Sequence, residues 1–146
     1  MPIIHFFNED IQYLVRRKTL LRNWILLTIK AEKRKLEEIS FILCSDQFLL
    51  QINQEFLDHE DYTDIITFQY NESGQKIQGD IYISLERVRE NAIKYNQRLL
   101  DEIHRIIIHG VLHLIGYQDK SINDKEEMSR KEDYYLSLRT EKLRSY

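Results

Sequence analysis

"LDEIHRIIIHGVLHLIGYQD", residues 100–119, sets the frame for the whole chain. Isoleucine, leucine and valine fall on nearly every side of its helical wheel. A helix that is apolar all round belongs inside a protein, covered by other elements. Gly116 stops the run in the C′ role, because glycine enters the left-handed conformation that ends a helix at no steric cost. His109 and His113 lie four residues apart, so one face presents both imidazoles, one above the other. Such a pair is either two core histidines hydrogen-bonded to backbone or carboxylates, or two ligands of one zinc-sized ion. Buried polar groups left unpaired cost about 1–3 kcal/mol, so partners of some kind are required.

The metal reading needs a third donor. The chain turns at Gly116 and offers Tyr117, Gln118 and Asp119, of which only Asp119 is a good ligand. Helix, glycine turn and third ligand follow the plan of elongated zincin sites. His109, His113 and Asp119 would leave a fourth position open, as catalytic zinc sites do. The glutamate that serves as general base in His-Glu-x-x-His is absent; Gly110 stands there. Peptidase chemistry is thereby disfavoured.

Outward from this helix the chain alternates. "KTLLRNWILLTIKAEKR" (18–34) has helical spacing through Leu20, Leu21, Trp24, Ile25, Thr28 and Ile29. "EISFILCS" (38–45) reads as a strand. Asp46 is expected to cap a helix carrying Phe48, Leu49, Ile52 and Phe56 on one face. Strands at 63–70 and 77–84 flank the polar turn 71–76 and predict a hairpin. Ser84 caps a helix over 85–96. Asp124 is expected to cap a last charged helix to about Leu143. With "PIIHFF" as a first strand, the order is βαβαββααα. The fold class is α+β: a small mixed sheet packed with several helices, the metal site on a central helix and the turn after it.

Composition bounds the function. A chain of 146 residues that is 42% hydrophobic suits a single domain, 1–146, with one core. One cysteine, Cys44, excludes an internal disulfide and fits a reducing compartment. "MPIIHFFNED" has no basic leader and no apolar run approaches a bilayer span, which predicts a soluble cytoplasmic protein with no membrane partner. The net charge of −3 hides an asymmetry, +5 over residues 1–35 and −8 beyond. Arg16, Arg17, Lys18 and Arg22, with Lys30 to Lys35 at the helix end, form either a phosphate-binding face or a solvated helix surface.

Three blocks resemble the YbeY family of bacterial rRNA maturation factors and single-strand endoribonucleases. "HGVLHLIGYQD" (109–119) is similar to His-Gly-x-Leu-His-Leu-x-Gly-Tyr-Asp-His. "INQEFLDHEDYTDIITF" (52–68) resembles Leu-Asn-x-x-Tyr-Arg-x-x-Asp-x-Pro-Thr-Asp-Val-Leu-Ser-Phe, and "GDIYIS" (79–84) resembles Gly-Asp-Ile-x-Ile-Ser. The blocks keep the family's order and span about residues 38–130. The resemblance implies a metal-dependent endoribonuclease that matures small-subunit (16S) ribosomal RNA. Its partners would be ribosomal RNA and the small subunit. One divalent ion, zinc by this donor set, would be held by His109, His113 and Asp119, with the two histidines also catalytic. The ion would act as a Lewis acid on a phosphodiester. A non-enzymatic ribosome-assembly factor with a structural metal is the alternative, and a metallopeptidase-like hydrolase a weaker one.

Three departures stand out. Asp119 replaces the family's third histidine, Leu57 its arginine and Tyr62 its proline. His59 is a candidate substitute for that arginine's charge. RNA contact is expected from Arg16, Arg17, Lys18 and Arg22, with Lys30 to Lys35 at the helix end, and Tyr62, Tyr70 and Tyr117 are candidate stacking residues. Asp64 and Asp80 are candidate partners for the ligand histidines' second nitrogens. Glu102 and Arg105 read as an i, i+3 pair.

Overall fold

A computed structural model describes residues 3–57, 63–72 and 74–145. In chain order the elements are β1 (Ile4–Asn8), α1 (Lys18–Ala31), β2 (Leu36–Cys44), α2 (Asp46–Leu57), β3 (Ile65–Gln69), β4 (Ile77–Ser84), α3 (Leu85–Lys94), α4 (Leu99–Ile115), α5 (Ile122–Ser137) and α6 (Glu141–Arg144). The strands form one sheet in the order β1-β2-β4-β3. β1, β2 and β4 run parallel, while β3 closes the hairpin antiparallel to β4. The expected small mixed sheet with helices is the observed architecture.

β4 sits inside the sheet and alternates strictly. Ile77, Gly79, Ile81 and Ile83 are buried on one side, while Gln78, Asp80 and Tyr82 are half-buried on the other. The first set joins the main core with α4 and α1. Tyr82 belongs to a smaller cluster under α2, with Cys44, Leu49, Ile52 and Ile66.

Two glycines let α4 press onto the sheet. A Cβ on Gly110 would stand 2.9 Å from Ile81 Cγ2 and 3.0 Å from Ile65 Cδ1. One on Gly79 would lie 2.4 Å from the Phe68 carbonyl oxygen and 3.0 Å from Leu114 Cδ2. The helix therefore rides directly on β3 and β4. This contact fixes the height of His109 and His113 above the sheet.

Two capping expectations change. Ser45, not Asp46, caps α2, its hydroxyl accepting from the Phe48 N–H at 3.0 Å. The Asp46 carboxylate instead takes a hydrogen bond from Arg87 Nε at 2.9 Å. Ser121, not Asp124, caps α5, and Asp124 closes the reciprocal half of a capping box. Serine fits both caps because its short hydroxyl folds back onto its own helix. The last helical stretch also breaks after Ser137, and α6 restarts under a Thr140 cap. Trp24 ties α1 to α5 by donating from Nε1 to the Tyr135 carbonyl at 2.7 Å.

Candidate metal centre

The centre begins with how α4 stops. Gly116 has φ 129° and ψ 0°. Its N–H bonds the His113 carbonyl at 3.0 Å, and the Tyr117 N–H bonds the Leu112 carbonyl at 3.0 Å. This 5→2 and 6→1 pair is a Schellman motif with glycine at C′, as the sequence predicts. The turn carries the Tyr117 carbonyl back over the helix, where it lies 2.9 Å from His113 Nδ1. A carbonyl only accepts, so His113 carries a proton on Nδ1, and in the neutral ring Nε2 is then the lone pair.

His109 is fixed in the same sense by a different group. Its Nδ1 lies 2.6 Å from Glu132 Oε2 on α5. The other Glu132 oxygen accepts from Arg105 Nη1 at 2.8 Å, and Arg105 Nη2 reaches Asp133 at 2.7 Å. Glu132 is 7% exposed, and these partners take up both of its oxygens. A carboxylate behind a ligand imidazole sets both its tautomer and its orientation. Residue spacing alone did not reveal Glu132. Its only sequence signal was a charged residue on the apolar side of the last helix.

Both Nε2 atoms thus face each other as acceptors, 2.9 Å apart. Asp119 Oδ2 joins them at 3.2 Å from His113 and 3.4 Å from His109. Donors held ~2.0–2.1 Å from a tetrahedral ion stand about 3.3 Å from one another. Three acceptors converging at this separation call for a positive charge between them. The two-nitrogen, one-oxygen set suits zinc and other borderline ions. Among the described residues these three are the only His, Cys, Asp or Glu group that could hold a metal ion. Burial would lower the His109 pKa, but the Glu132 carboxylate, with Asp119 and Asp64 behind it, leaves it raised.

Other sequence candidates fall elsewhere. Asp64 and Asp80 do not support the ligand histidines; Glu132 and the Tyr117 carbonyl do. Asp64 accepts from Asn91 at 3.4 Å and Asp80 from the Tyr70 hydroxyl at 2.7 Å, so neither carboxylate is hydrogen-bonded to a histidine. Arg105 reaches α5 rather than pairing with Glu102, since two carboxylates there fit its fork. Asp64, Asn91, Glu102 and Arg105 instead line a cavity of about 560 Å³ that opens beside His109. The Tyr117 hydroxyl is spent on Glu32 at 2.5 Å, and Tyr135 and Lys131 share that carboxylate. Arg22 donates to the Ile4 carbonyl at 2.8 Å and lies over the Phe6 ring. Arg16, Arg17 and Lys18 sit at the start of α1, with Arg17 in the left-handed N-cap conformation. Leu57 ends α2, half exposed; His59 and Tyr62 lie outside the described residues.

Sequence comparison agrees with this geometry. A family model described as endoribonuclease YbeY matches residues 4–139. The chain belongs to this family. It is 50% identical over 136 residues to a protein of Cytophaga hutchinsonii named endoribonuclease YbeY, covering 93% of this chain and 95% of that one. A Christiangramia forsetii protein of the same name is 45% identical over 92% of this chain and 93% of its own length. Among solved structures, the solution structure of a Thermotoga maritima protein superposes with a TM-score of 0.64 at 28% identity, covering 92% of this chain and 87% of that one. Among the described residues, no helix is long and apolar enough to cross a membrane.

Proposed function

We propose that this chain, working as a single domain over residues 1–146, is a cytoplasmic, metal-dependent endoribonuclease of single-stranded RNA. Its substrate is the small-subunit (16S) ribosomal RNA during maturation, within the small ribosomal subunit. Its metal is zinc, ligated by His109, His113 and Asp119. The observation that carries this reading is the convergence of two tautomer-locked Nε2 atoms and the Asp119 carboxylate at 2.9, 3.2 and 3.4 Å. The relatives' name, endoribonuclease YbeY, supports the reaction class.

A bound ion would supply Lewis acidity toward a phosphodiester. The protein's own part is to hold that site in shape. Glu132 and the Tyr117 carbonyl keep both imidazoles turned with Nε2 outward. Arg105 holds Glu132 in place. The position after the first histidine adds no base, because Gly110 faces Ile81 and Ile65 with no room for a side chain. That packing also argues against a peptidase of the His-Glu-x-x-His kind.

Leu57, in place of the family's arginine, favours the second reading, a ribosome-assembly factor whose metal is structural. Cleavage of single-stranded RNA by wild type and His113→Ala, with metal content measured in both, decides between them. The endoribonuclease reading expects cleavage by the wild type and loss of both metal and cleavage in the variant. Equal cleavage by both proteins sinks it. Inactive wild type that is folded and ribosome-associated establishes the assembly role.

A further inference from the structure

We propose that the groove formed by the α1–β2 turn and the β3–β4 turn is where a single-stranded RNA backbone lies as it approaches the metal turn. The ligand class rests on the endoribonuclease reading above; the surface itself rests on the following geometry.

Lys30, Lys33, Lys35 and Lys76 ring a cavity of about 620 Å³ with Leu26 and Leu36 in its wall. All four lysines are exposed. Among the described residues none of them has a carboxylate within ion-pair distance. Unspent cations around one groove are notable in a chain whose net charge is −3. Two acidic side chains of this stretch, Glu32 and Glu38, are used elsewhere, and among the described residues Glu37 forms no ion pair with the lysines. Glu32 is held by Tyr117, Tyr135 and Lys131, and Glu38 by His5.

The end of α1 adds a second observation. The Lys33 N–H bonds the Lys30 carbonyl at 2.9 Å and the Arg34 N–H bonds the Ile29 carbonyl at 3.1 Å. Lys33 has φ 60°. This is the helix-ending position that favours glycine, and here a lysine occupies it and lines the groove.

Arg34 joins the groove to the metal turn. Its Nη1 donates to the Ile115 carbonyl at 2.6 Å and its Nη2 to the Gln75 carbonyl at 3.0 Å. Ile115 is the last residue of α4, immediately before Gly116. Arg34 is thus a tie between the basic groove and the turn that carries Asp119, while the lysines meet solvent. A concave groove with cations on its rim suits the phosphates of a single strand. A membrane surface would call for a broad exposed apolar face instead.

Fluorescence anisotropy with a labelled, uncleavable single-stranded oligoribonucleotide (2′-O-methyl phosphorothioate) tests the surface without requiring catalysis. Lys33→Glu/Lys35→Glu/Lys76→Glu is expected to weaken binding about tenfold or more near 50 mM salt. It should also flatten the salt dependence by about two contacts' worth of slope. A reversal of equal charge elsewhere, Lys94→Glu/Lys125→Glu/Lys142→Glu, should weaken it far less. Equal losses in the two variants overturn the surface, as does a wild type that fails to bind. If the glutamate variant does not fold by thermal melting, the corresponding Lys→Gln variant carries the same test. An oligoglutamate peptide that binds the wild type as tightly and loses as much overturns the RNA assignment. Wild type that binds through these lysines but never cleaves defeats the endoribonuclease reading and leaves the surface standing.

Discussion

The two halves of α4 bury histidines in opposite ways. In the first half His104 is 2% exposed and tilted against Trp24, with ring centroids 5.6 Å apart. Arg139 Nη1 donates to its Nδ1 at 2.8 Å, so the lone pair on that nitrogen is consumed. In the second half the groups facing Nδ1 of His109 and His113 are acceptors. There each ring must donate from Nδ1, and the Nε2 lone pairs are left facing Asp119. Residue type is the same in the two halves; His104 is fully buried, while the His109 and His113 side chains are 18% and 20% exposed. What makes one half a candidate metal site is the sign of the neighbour behind each ring. A donor makes the imidazole a core acceptor, and an acceptor makes it a ligand.

The largest test of this contrast is acid stability. Burial, then the Arg139 charge, lowers the His104 pKa to about 4 from an ordinary 6.5. The unfolded state therefore binds the proton first. Stability present above pH 6.5 is lost progressively as the pH falls toward 4, by roughly 3 kcal/mol in all. His104→Gln, which keeps an acceptor for Arg139, should flatten that slope in thermal melts. Parallel slopes for the two proteins between these limits would remove His104 from the account.

Next in size is Glu132→Ala, which should lower zinc affinity about 10–100-fold in a chelator-competition titration. Glu132→Gln should fall between it and wild type, because the amide can still accept from Nδ1. Unchanged affinity in folded Glu132→Ala would show that His109 needs no acceptor behind it. Gly116→Ala follows. At φ 129° an alanine is strained whatever the space, so a loss of about 2 kcal/mol is expected. Some zinc affinity should go with it as the Tyr117 carbonyl shifts; wild-type values of both would dismiss the turn's role. The smallest effect is Lys33→Gly, where relief of a left-handed lysine and greater unfolded-state freedom oppose each other. A net gain below about 1 kcal/mol in denaturant melts is expected, and a clear loss would mean that the lysine stem packs.

Much of this was legible in the sequence for one reason: it is periodic or local. The His-x-x-x-His spacing, the glycine stop and the carboxylate just beyond it all lie within eleven residues, and the structure brings them together. The α+β order likewise follows from alternation in "GDIYIS" and the 3.6-residue pattern in α1. What escaped depends on contacts between elements distant in sequence. Glu132 is 23 residues from His109, and its one local signal, a charge on the apolar side of α5, does not name a partner. Arg105 had a carboxylate three residues away and chose two on another helix, where its planar fork could engage both. The caps failed through a near-tie of residue types. Ser45 precedes Asp46, Ser121 precedes Asp124 by one turn, and sequence alone does not rank them.

The bond from Trp24 to the Tyr135 carbonyl gives the protein an optical gauge of its own. Trp24 is the only tryptophan in the chain. Its indole is anchored on α5, the helix that delivers Glu132, and its ring rests on His104. Its emission therefore reads one event from inside the core: whether α5 is seated. Red-shifted fluorescence would report that helix lifting away, before any substrate is added and without a label.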